Sequence, residues 1–367
     1  MIYHHFQDLK LSSLGMGCMR LPTLEGKDSE IDEVRTAEMV EIAMNAGINY
    51  FDTAWFYHGG NSESVMGKVL EKYPRDSFYL ATKFPGFRPT EPKDPSIIFE
   101  KQLEKCRTDY FDFYLFHNVC ERNVDQFTDE SIGIHRYLME QKKAGRIRHL
   151  GFSTHGSLNC IKRFLDTYGK DLEFCQIQLN WLDWKLQNAK AKVELLQSYG
   201  IPVWVMEPVR GGRLINLPAE DLSILEDLRP GVTTPEWAFR FLQTIPTVTM
   251  VLSGMSNETQ LRENIATHGV HAPLNDHEFE VLQEMADRMI ARNAVPCTAC
   301  SYCVKECPKN LPIPQIISLY NERTQPNAEK PGNPGPSDCI GCGKCKSMCP
   351  QNINIPDIMM DYNRYLD

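Results

Sequence analysis

Two runs of cysteine near the C-terminal end carry the most specific chemistry in the chain. Cys297, Cys300, Cys303 and Cys307 are followed by Pro308, and Cys339, Cys342, Cys345 and Cys349 by Pro350. Each run reads C-x2-C-x2-C-x3-C-P, the spacing by which a polypeptide holds a [4Fe–4S] cube. Three thiolates at this spacing wrap one face of a cube, and the fourth reaches elsewhere. A four-cysteine zinc site needs two C-x2–4-C knuckles, not a third cysteine at the same spacing. The remaining cysteines, Cys18, Cys106, Cys120, Cys160 and Cys175, have no ligand spacing. They read as small apolar core residues.

A second constellation lies far upstream. Asp52, Lys83 and His117 each close a segment of buried-strand character, and Tyr57 follows Asp52 by five residues. An acid, an ammonium, a phenol and an imidazole gathered at one place make a proton-donating site. An ordinary tyrosine has a pKa near 10, too high for a general acid at neutral pH. Lowering it by ~3 units takes ~4 kcal/mol of preferential phenolate stabilisation. One ammonium about 4 Å away supplies roughly that at an effective dielectric of 20. Lys83 is the candidate for that ammonium, Asp52 would hold it, and His117 would orient a substrate oxygen.

The elements that must bring these residues together are strands and helices in alternation. Strand-like runs are LGMGCM (14–19), INYFD (48–52), FYLATKF (78–84), FDFYLFH (111–117), IRHLGFS (147–153), FCQIQL (174–179), IPVWVM (201–206) and TVTMVLS (247–253). Helical periodicity runs through 36–46, 62–73, 129–145 and 276–292. Eight strands alternating with helices over about 250 residues is the arithmetic of a (β/α)8 TIM barrel, whose functional residues sit at the C-terminal strand ends. A doubly wound sheet would want G-x-G-x-x-G after the first strand, and Arg20 breaks that pattern. Met19 and Arg20, just after the first strand, belong at the same mouth. So does His155, as a pocket residue. Trp55, Phe56 and His58 flank Tyr57 and are expected to shape the substrate pocket; Trp181 and Trp184 either do likewise or pack. Beyond Pro296 the chain is an internal duplication at an offset of 42, in which Asn310/Asn352, Ile313/Ile355, Pro314/Pro356 and Ile316/Ile358 recur along with the cysteines. Each half is expected to be a cluster loop followed by a helix opening near I-P-x-I, with a Pro/Gly loop (326–336) between them. The expected division is a barrel over 1–294 and a small helical ferredoxin-like domain with two clusters over 295–367.

Several segments resemble the aldo-keto reductases: G-I-N-Y-F-D-T-A-x-x-Y (47–57), S-E-S-V-M-G-K-V-L (62–70), L-A-T-K (80–83), D-F-Y-L-F-H (112–117), G-F-S-T-H (151–155), Q-I-Q-L-N (176–180) and G-M-S-N-E-T-Q-L-R-E-N-I (254–265). The resemblance spans about residues 11 to 268. It implies the (β/α)8 fold, a nicotinamide cofactor across the barrel mouth, and a catalytic tetrad on Asp52, Tyr57, Lys83 and His117. The implied reaction is hydride transfer to a carbonyl carbon, with Tyr57 protonating the oxygen. Ser153 and Gln176 match positions that hold the nicotinamide carboxamide, and Glu263 and Asn264 the adenine-binding pair. Gly254, Ser256 and Gln260 match the adenosine-phosphate end. The segment 207–214, with Pro208, Arg210, Gly211, Gly212 and Arg213, matches the loop that wraps the diphosphate. Met206 stands where an aromatic often stacks on the nicotinamide, and Thr154 where Asn is common. Gln260 stands where NADPH-preferring members carry arginine. NADP and NAD both stay open, and a flavin remains an alternative planar ring. The cysteine runs resemble dicluster ferredoxin domains, in which the fourth Cys of each run ligates the other cluster. That implies one cluster on Cys297, Cys300, Cys303 and Cys349, and a second on Cys339, Cys342, Cys345 and Cys307.

Composition limits the partners. Net charge is −9, which disfavours nucleic acid and suits a basic redox partner protein. No apolar stretch approaches 18 residues and the N-terminus has no signal-peptide core, so the expectation is a cytoplasmic protein that does not bind membranes. The function expected is an oxidoreductase acting on a small carbonyl or alcohol, coupled to one-electron transfer through the clusters. Hydride carries two electrons and each cluster moves one, so coupling calls for a two-electron centre such as a flavin. The alternatives are an electron-transfer or redox-sensing module whose barrel binds nicotinamide or flavin without reducing carbonyls, and a reductase whose clusters are structural.

Overall fold

Runs of β-branched and aromatic residues bounded by turns become short strands. The computed structural model, which describes residues 1–86, 94–292, 295–323 and 328–366, contains ten of them. They are β1 (Tyr3–Phe6), β2 (Leu9–Ser12), β3 (Leu14–Gly17), β4 (Tyr50–Asp52), β5 (Tyr79–Phe84), β6 (Phe111–Val119), β7 (Ile147–Thr154), β8 (Cys175–Gln178), β9 (Val203–Met206) and β10 (Val248–Ser253). Strands β3 to β10 close into a parallel barrel in sequence order, β10 pairing with β3. All eight strands expected from the sequence are the barrel staves. The chain divides into two compact units. Met1–Pro208 with Ser223–Gln283 forms the barrel unit, and Val209–Leu222 with Glu284–Asp367 forms the other. Ala294, at the expected division, and residues 326 and 327 of the expected Pro/Gly loop lie outside the described residues. Among the described residues no helix is long and apolar enough to cross a membrane.

Within the barrel unit, the period of two decides what faces inward. Tyr50, Ala81, Phe113, Leu115, Phe174, Trp204, Met250 and Leu252 form one buried interior cluster. Gly151 belongs to this layer for lack of space: a Cβ there would lie 2.5 Å from Phe174. The hairpin β1–β2, which the sequence reading omits, adds Phe6 and Leu11 to the same cluster. Its strands are four residues each with little alternation, too short for a periodicity signal. Two residues further along β4, β5, β6 and β8, the inward positions change from apolar to polar, as Asp52, Lys83, His117 and Gln176 show.

The helices differ from expectation mainly at their ends. Asp32 caps Glu33–Asn45, its Oδ1 accepting from the Arg35 N–H at 3.0 Å. The segment expected to be helical over 129–145 is helix only from Ile134 to Lys143. Gly133 at φ 73° starts it, and the Asp129 side chain accepts the Ser131 N–H in a local turn instead.

The second unit shows the duplication in its backbone. Helices Ile313–Glu322 and Ile355–Leu366 open at the repeated Ile-Pro, and Asn310 and Asn352 both adopt positive φ (51° and 53°). Its core contains Ile313, Ile316, Ile317, Tyr320, Ile355, Met359 and Tyr362. Tyr320 and Tyr362, related by the repeat, meet edge to face with centroids 5.5 Å apart.

Candidate active site and cluster cavities

The inward polar positions are Asp52 above Tyr50, Lys83 above Ala81, and His117 above Leu115. Barrel stagger places Asp52 level with Ala81, and Lys83 level with Leu115. Asp52 and Lys83 are buried to 2% and 0% exposure. Lys83 Nζ lies 2.5 Å from Asp52 Oδ1 and donates to the Thr53 carbonyl oxygen at 2.8 Å. It also reaches the Tyr57 hydroxyl at 3.3 Å. Tyr57 arrives on the turn after β4, and its ring meets His117 edge-on at 6.0 Å between centroids. His117 is half-buried at the mouth. The four residues are thus gathered at one point.

The electrostatics differ from the expectation that Lys83 lowers the pKa of Tyr57. Burial pushes the Tyr57 hydroxyl well above the ordinary phenol range, and the charges of Asp52, Cys18 and Glu207 add to it. Asp52 stands closer to Lys83 than the phenol does, so the carboxylate offsets the ammonium field. Asp52 is itself pushed up by burial, against the opposing pull of Lys83. Tyr57 therefore rests as a neutral, fully protonated donor.

Behind Lys83 lies a buried network the sequence reading did not single out. Gln102 Nε2 donates to the Lys83 carbonyl oxygen at 3.0 Å and to Glu63 Oε1 at 2.6 Å. Thr82 donates to the same oxygen at 2.7 Å, Tyr114 to Gln102 at 2.5 Å, and Lys105 pairs with Glu63 at 2.9 Å. Polar residues facing outward from a stave toward a helix were the available signal. His58, expected in the pocket wall, is instead buried: its Nε2 accepts the Leu21 N–H at 3.1 Å and its Nδ1 meets the Asp28 carbonyl at 2.7 Å. It anchors the loop 21–28. Trp55 and Phe56 are half-buried, as is His155 just past β7. Trp181 is fully buried and Trp184 packs on Phe241 and Phe279, so both are packing residues.

Ser153 and Gln176 are register partners on β7 and β8. Ser153 Oγ accepts the Asn118 N–H at 2.8 Å and keeps a hydroxyl proton to donate. Gln176 Oε1 is buried without a hydrogen-bond partner among the described residues. A donor and an orphaned acceptor side by side fit a primary carboxamide, the polar group of a nicotinamide. Asn118, in the left-handed region at φ 56°, presents a second buried unpartnered acceptor, Oδ1. Thr154 turns away, donating to the Val119 carbonyl at 2.6 Å. Met206 ends β9 half-buried, and Pro208 is buried two residues on. After β10, Ser256 Oγ donates to the Arg20 carbonyl at 2.9 Å, and Gln260 Oε1 accepts the Ser256 N–H at 2.8 Å. A Cβ on Gly254 would lie 3.1 Å from the Arg20 side chain, and Asn264 donates to Ser253 Oγ at 3.0 Å. Met19 is half-buried and Glu263 exposed. Arg210, Gly211 and Gly212 fall in the segment that packs with the second unit. The Arg210 guanidinium donates to the Pro296 carbonyl there at 3.2 Å.

In the second unit the eight cysteines surround two cavities. One is lined by Cys297, Cys300, Cys303 and Cys349. The other is lined by Cys307, Cys339, Cys342 and Cys345. Each thus takes its fourth cysteine from the other run. Among the described residues no group of His, Cys, Asp or Glu closes round a single metal ion. Four cysteines round each cavity, three from one run and one from the other, are the ligand set of a cube in a two-cluster domain.

Comparison with known proteins agrees with this geometry. The aldo/keto reductase family profile matches residues 13–287, and a 4Fe-4S dicluster domain profile matches 296–353. An uncharacterized oxidoreductase of Bacillus subtilis, YqkF, is 28% identical over 308 residues, covering 75% of this chain and 93% of its own. The NADH-specific methylglyoxal reductase of Escherichia coli is 24% identical, covering 77% and 97%. The solved aldo-keto reductase AKR11C1 of Bacillus halodurans, in its holo form, superposes with a TM-score of 0.64 at 27% identity, covering 78% and 96%. With its eight-stave barrel followed by two cysteine-lined cavities, the chain belongs to the aldo/keto reductase family and carries a 4Fe-4S dicluster domain after the barrel.

Proposed function

We propose that this protein reduces small carbonyl compounds with a nicotinamide cofactor, Tyr57 acting as the general acid. The observation that carries the reading is the buried Asp52–Lys83–Tyr57 chain of contacts at the strand ends, 2.5 Å and then 3.3 Å. When bound, a reduced nicotinamide supplies the hydride taken up by the carbonyl carbon. Ser153 and Gln176 hold the carboxamide, and Met19, Arg20, Met206 and Pro208 border the nucleotide. Gly254, Ser256, Gln260, Glu263 and Asn264 take the adenosine end. Tyr57 gives its proton to the carbonyl oxygen, and His117 fixes that oxygen's direction. An alkoxide is a stronger base than a phenolate, so the transfer runs downhill even from a tyrosine held above its usual pKa. Lys83 then stabilises the phenolate until solvent returns the proton. In this reading the enzyme domain covers 1–294 and the cluster domain 295–367, and an acidic chain of net charge −9 suits a basic redox partner.

We assign NADH rather than NADPH. Gln260 is neutral and its Oε1 is engaged by Ser256. The E. coli relative named for NADH specificity supports the same choice. Purified full chain, given methylglyoxal and a panel of small aldehydes anaerobically, is expected to oxidise NADH in step with alcohol formation. NADH binding without product across the panel would favour the sensing module instead. In Gln260→Arg, a guanidinium able to meet a 2′-phosphate is expected to shift kcat/KM toward NADPH by about tenfold, the worth of one charge-assisted contact. An unchanged NADH/NADPH ratio would place the adenosine end elsewhere.

A further inference from the structure

Arg210 and Arg213 lie in the loop after β9, within the segment Val209–Leu222 that belongs to the second unit. Arg210 is fully buried. Its Nη1 donates to the Pro296 carbonyl oxygen at 3.2 Å, and Arg213 Nη1 donates to that of Val295 at 3.1 Å. These two carbonyls immediately precede Cys297. The Ala299 N–H also points to Cys297 Sγ, at 3.4 Å. The other cavity is built differently. Lys344 and Lys346, which flank Cys345, are exposed. Lys309 lines that cavity but is exposed, so water and salt screen it. Cys342 is exposed, and Ile340 beside it is 60% exposed.

A cluster becomes one unit more negative on taking an electron, so net charge and hydrogen bonds to sulfur set its potential. Solvent near the outer cluster also favours the reduced form, while a buried guanidinium acts through a low dielectric, where its field is strongest. We propose that Arg210 and Arg213 serve the cluster held by Cys297, Cys300, Cys303 and Cys349, setting its reduction potential above that of the solvent-facing cluster, so that electrons from an external one-electron reductant pass inward and rest there. The step moves one electron from the outer cluster, which is oxidised, to the inner, which is reduced. No bond or proton is exchanged, and arginine keeps its charge throughout. The inference rests on the two ligand sets and not on the carbonyl chemistry.

The test is an anaerobic redox titration of the full chain followed by EPR, with iron and sulfide counted for every variant. Two one-electron steps are expected, the higher being the one that survives in Cys342→Ala. In Arg213→Gln the higher step should fall by about 59 mV or more, a tenfold change in that equilibrium, while the lower stays in place. Arg213→Lys should keep most of the original potential. The inference is overturned if Arg213→Gln moves neither step or both equally, if the lysine variant shifts as far as the glutamine one, or if Arg213→Gln loses iron and so proves to be a structural strut. It is overturned too if NADH affinity weakens in Arg213→Gln with no change of potential. A wild-type chain without two four-iron clusters would instead overturn the ligand sets themselves.

Discussion

Tyr57→Phe is expected to lower kcat for carbonyl reduction about 10³-fold, the middle of the range for a positioned general acid. That is about 4 kcal/mol of transition-state stabilisation. The substitution removes one oxygen and little else. The ring keeps its edge contact with His117 at 6.0 Å and its place 4.8 Å below the Lys83 ammonium. Asp52 and Thr53 still hold Lys83, so the barrel mouth stays formed. NADH affinity, followed by fluorescence, should therefore be unchanged while kcat collapses. The pH profile gives a second check. Tyr57 must carry its proton to act, and burial holds that proton above the ordinary phenol range. The wild-type rate should be flat through neutral pH and decline only above about pH 10, the unperturbed tyrosine value. A Tyr57→Phe enzyme that keeps its rate, or an alkaline limb near neutrality in the wild type, would mean that another group donates the proton.

Cys349→Ala should remove the cluster whose other ligands lie in the first cysteine run. The reason is the swap: Cys349 lines the cavity of Cys297, Cys300 and Cys303, and Cys307 that of Cys339, Cys342 and Cys345. Iron counting separates this from ligation run by run. Cys349→Ala should lose about four irons, one cube's complement. Adding Cys297→Ala should cost no more, because both act on one cluster, whereas adding Cys339→Ala should empty the protein of iron. The reverse pattern would return Cys349 to its own run. The apolar core around Ile316, Ile317 and Met359 stays in place in these variants, so far-ultraviolet circular dichroism should retain the helices.

Much of the barrel was legible because its signals are local. A parallel stave is buried on both sides, so INYFD, FYLATKF and FDFYLFH stand out as apolar runs, and the polar residue at or next to the end of each run lies at the mouth. Asp52, Lys83 and His117 follow from that alone. The cluster loops are more local still, since three ligands fall within seven residues. The hairpin β1–β2 was missed because four-residue strands have no measurable period. His58 looked like a pocket residue because it adjoins Tyr57, yet the turn at Tyr57–Gly60 points it at Leu21 and Asp28.

The sequence by itself determined which residues are chemically able to act. Ligand spacing, strand ends and the period of two are written in consecutive residues. Tertiary structure alone decided how those groups act on one another, because charge depends on distance and solvent rather than on order in the chain. Burial of the Tyr57 hydroxyl, with the Asp52 carboxylate 2.5 Å from Lys83 adding to it, is what leaves Tyr57 protonated instead of acidified. The loop after β9 shows the same thing: Arg210 and Arg213 donate to the carbonyls of Pro296 and Val295, some eighty positions away in sequence.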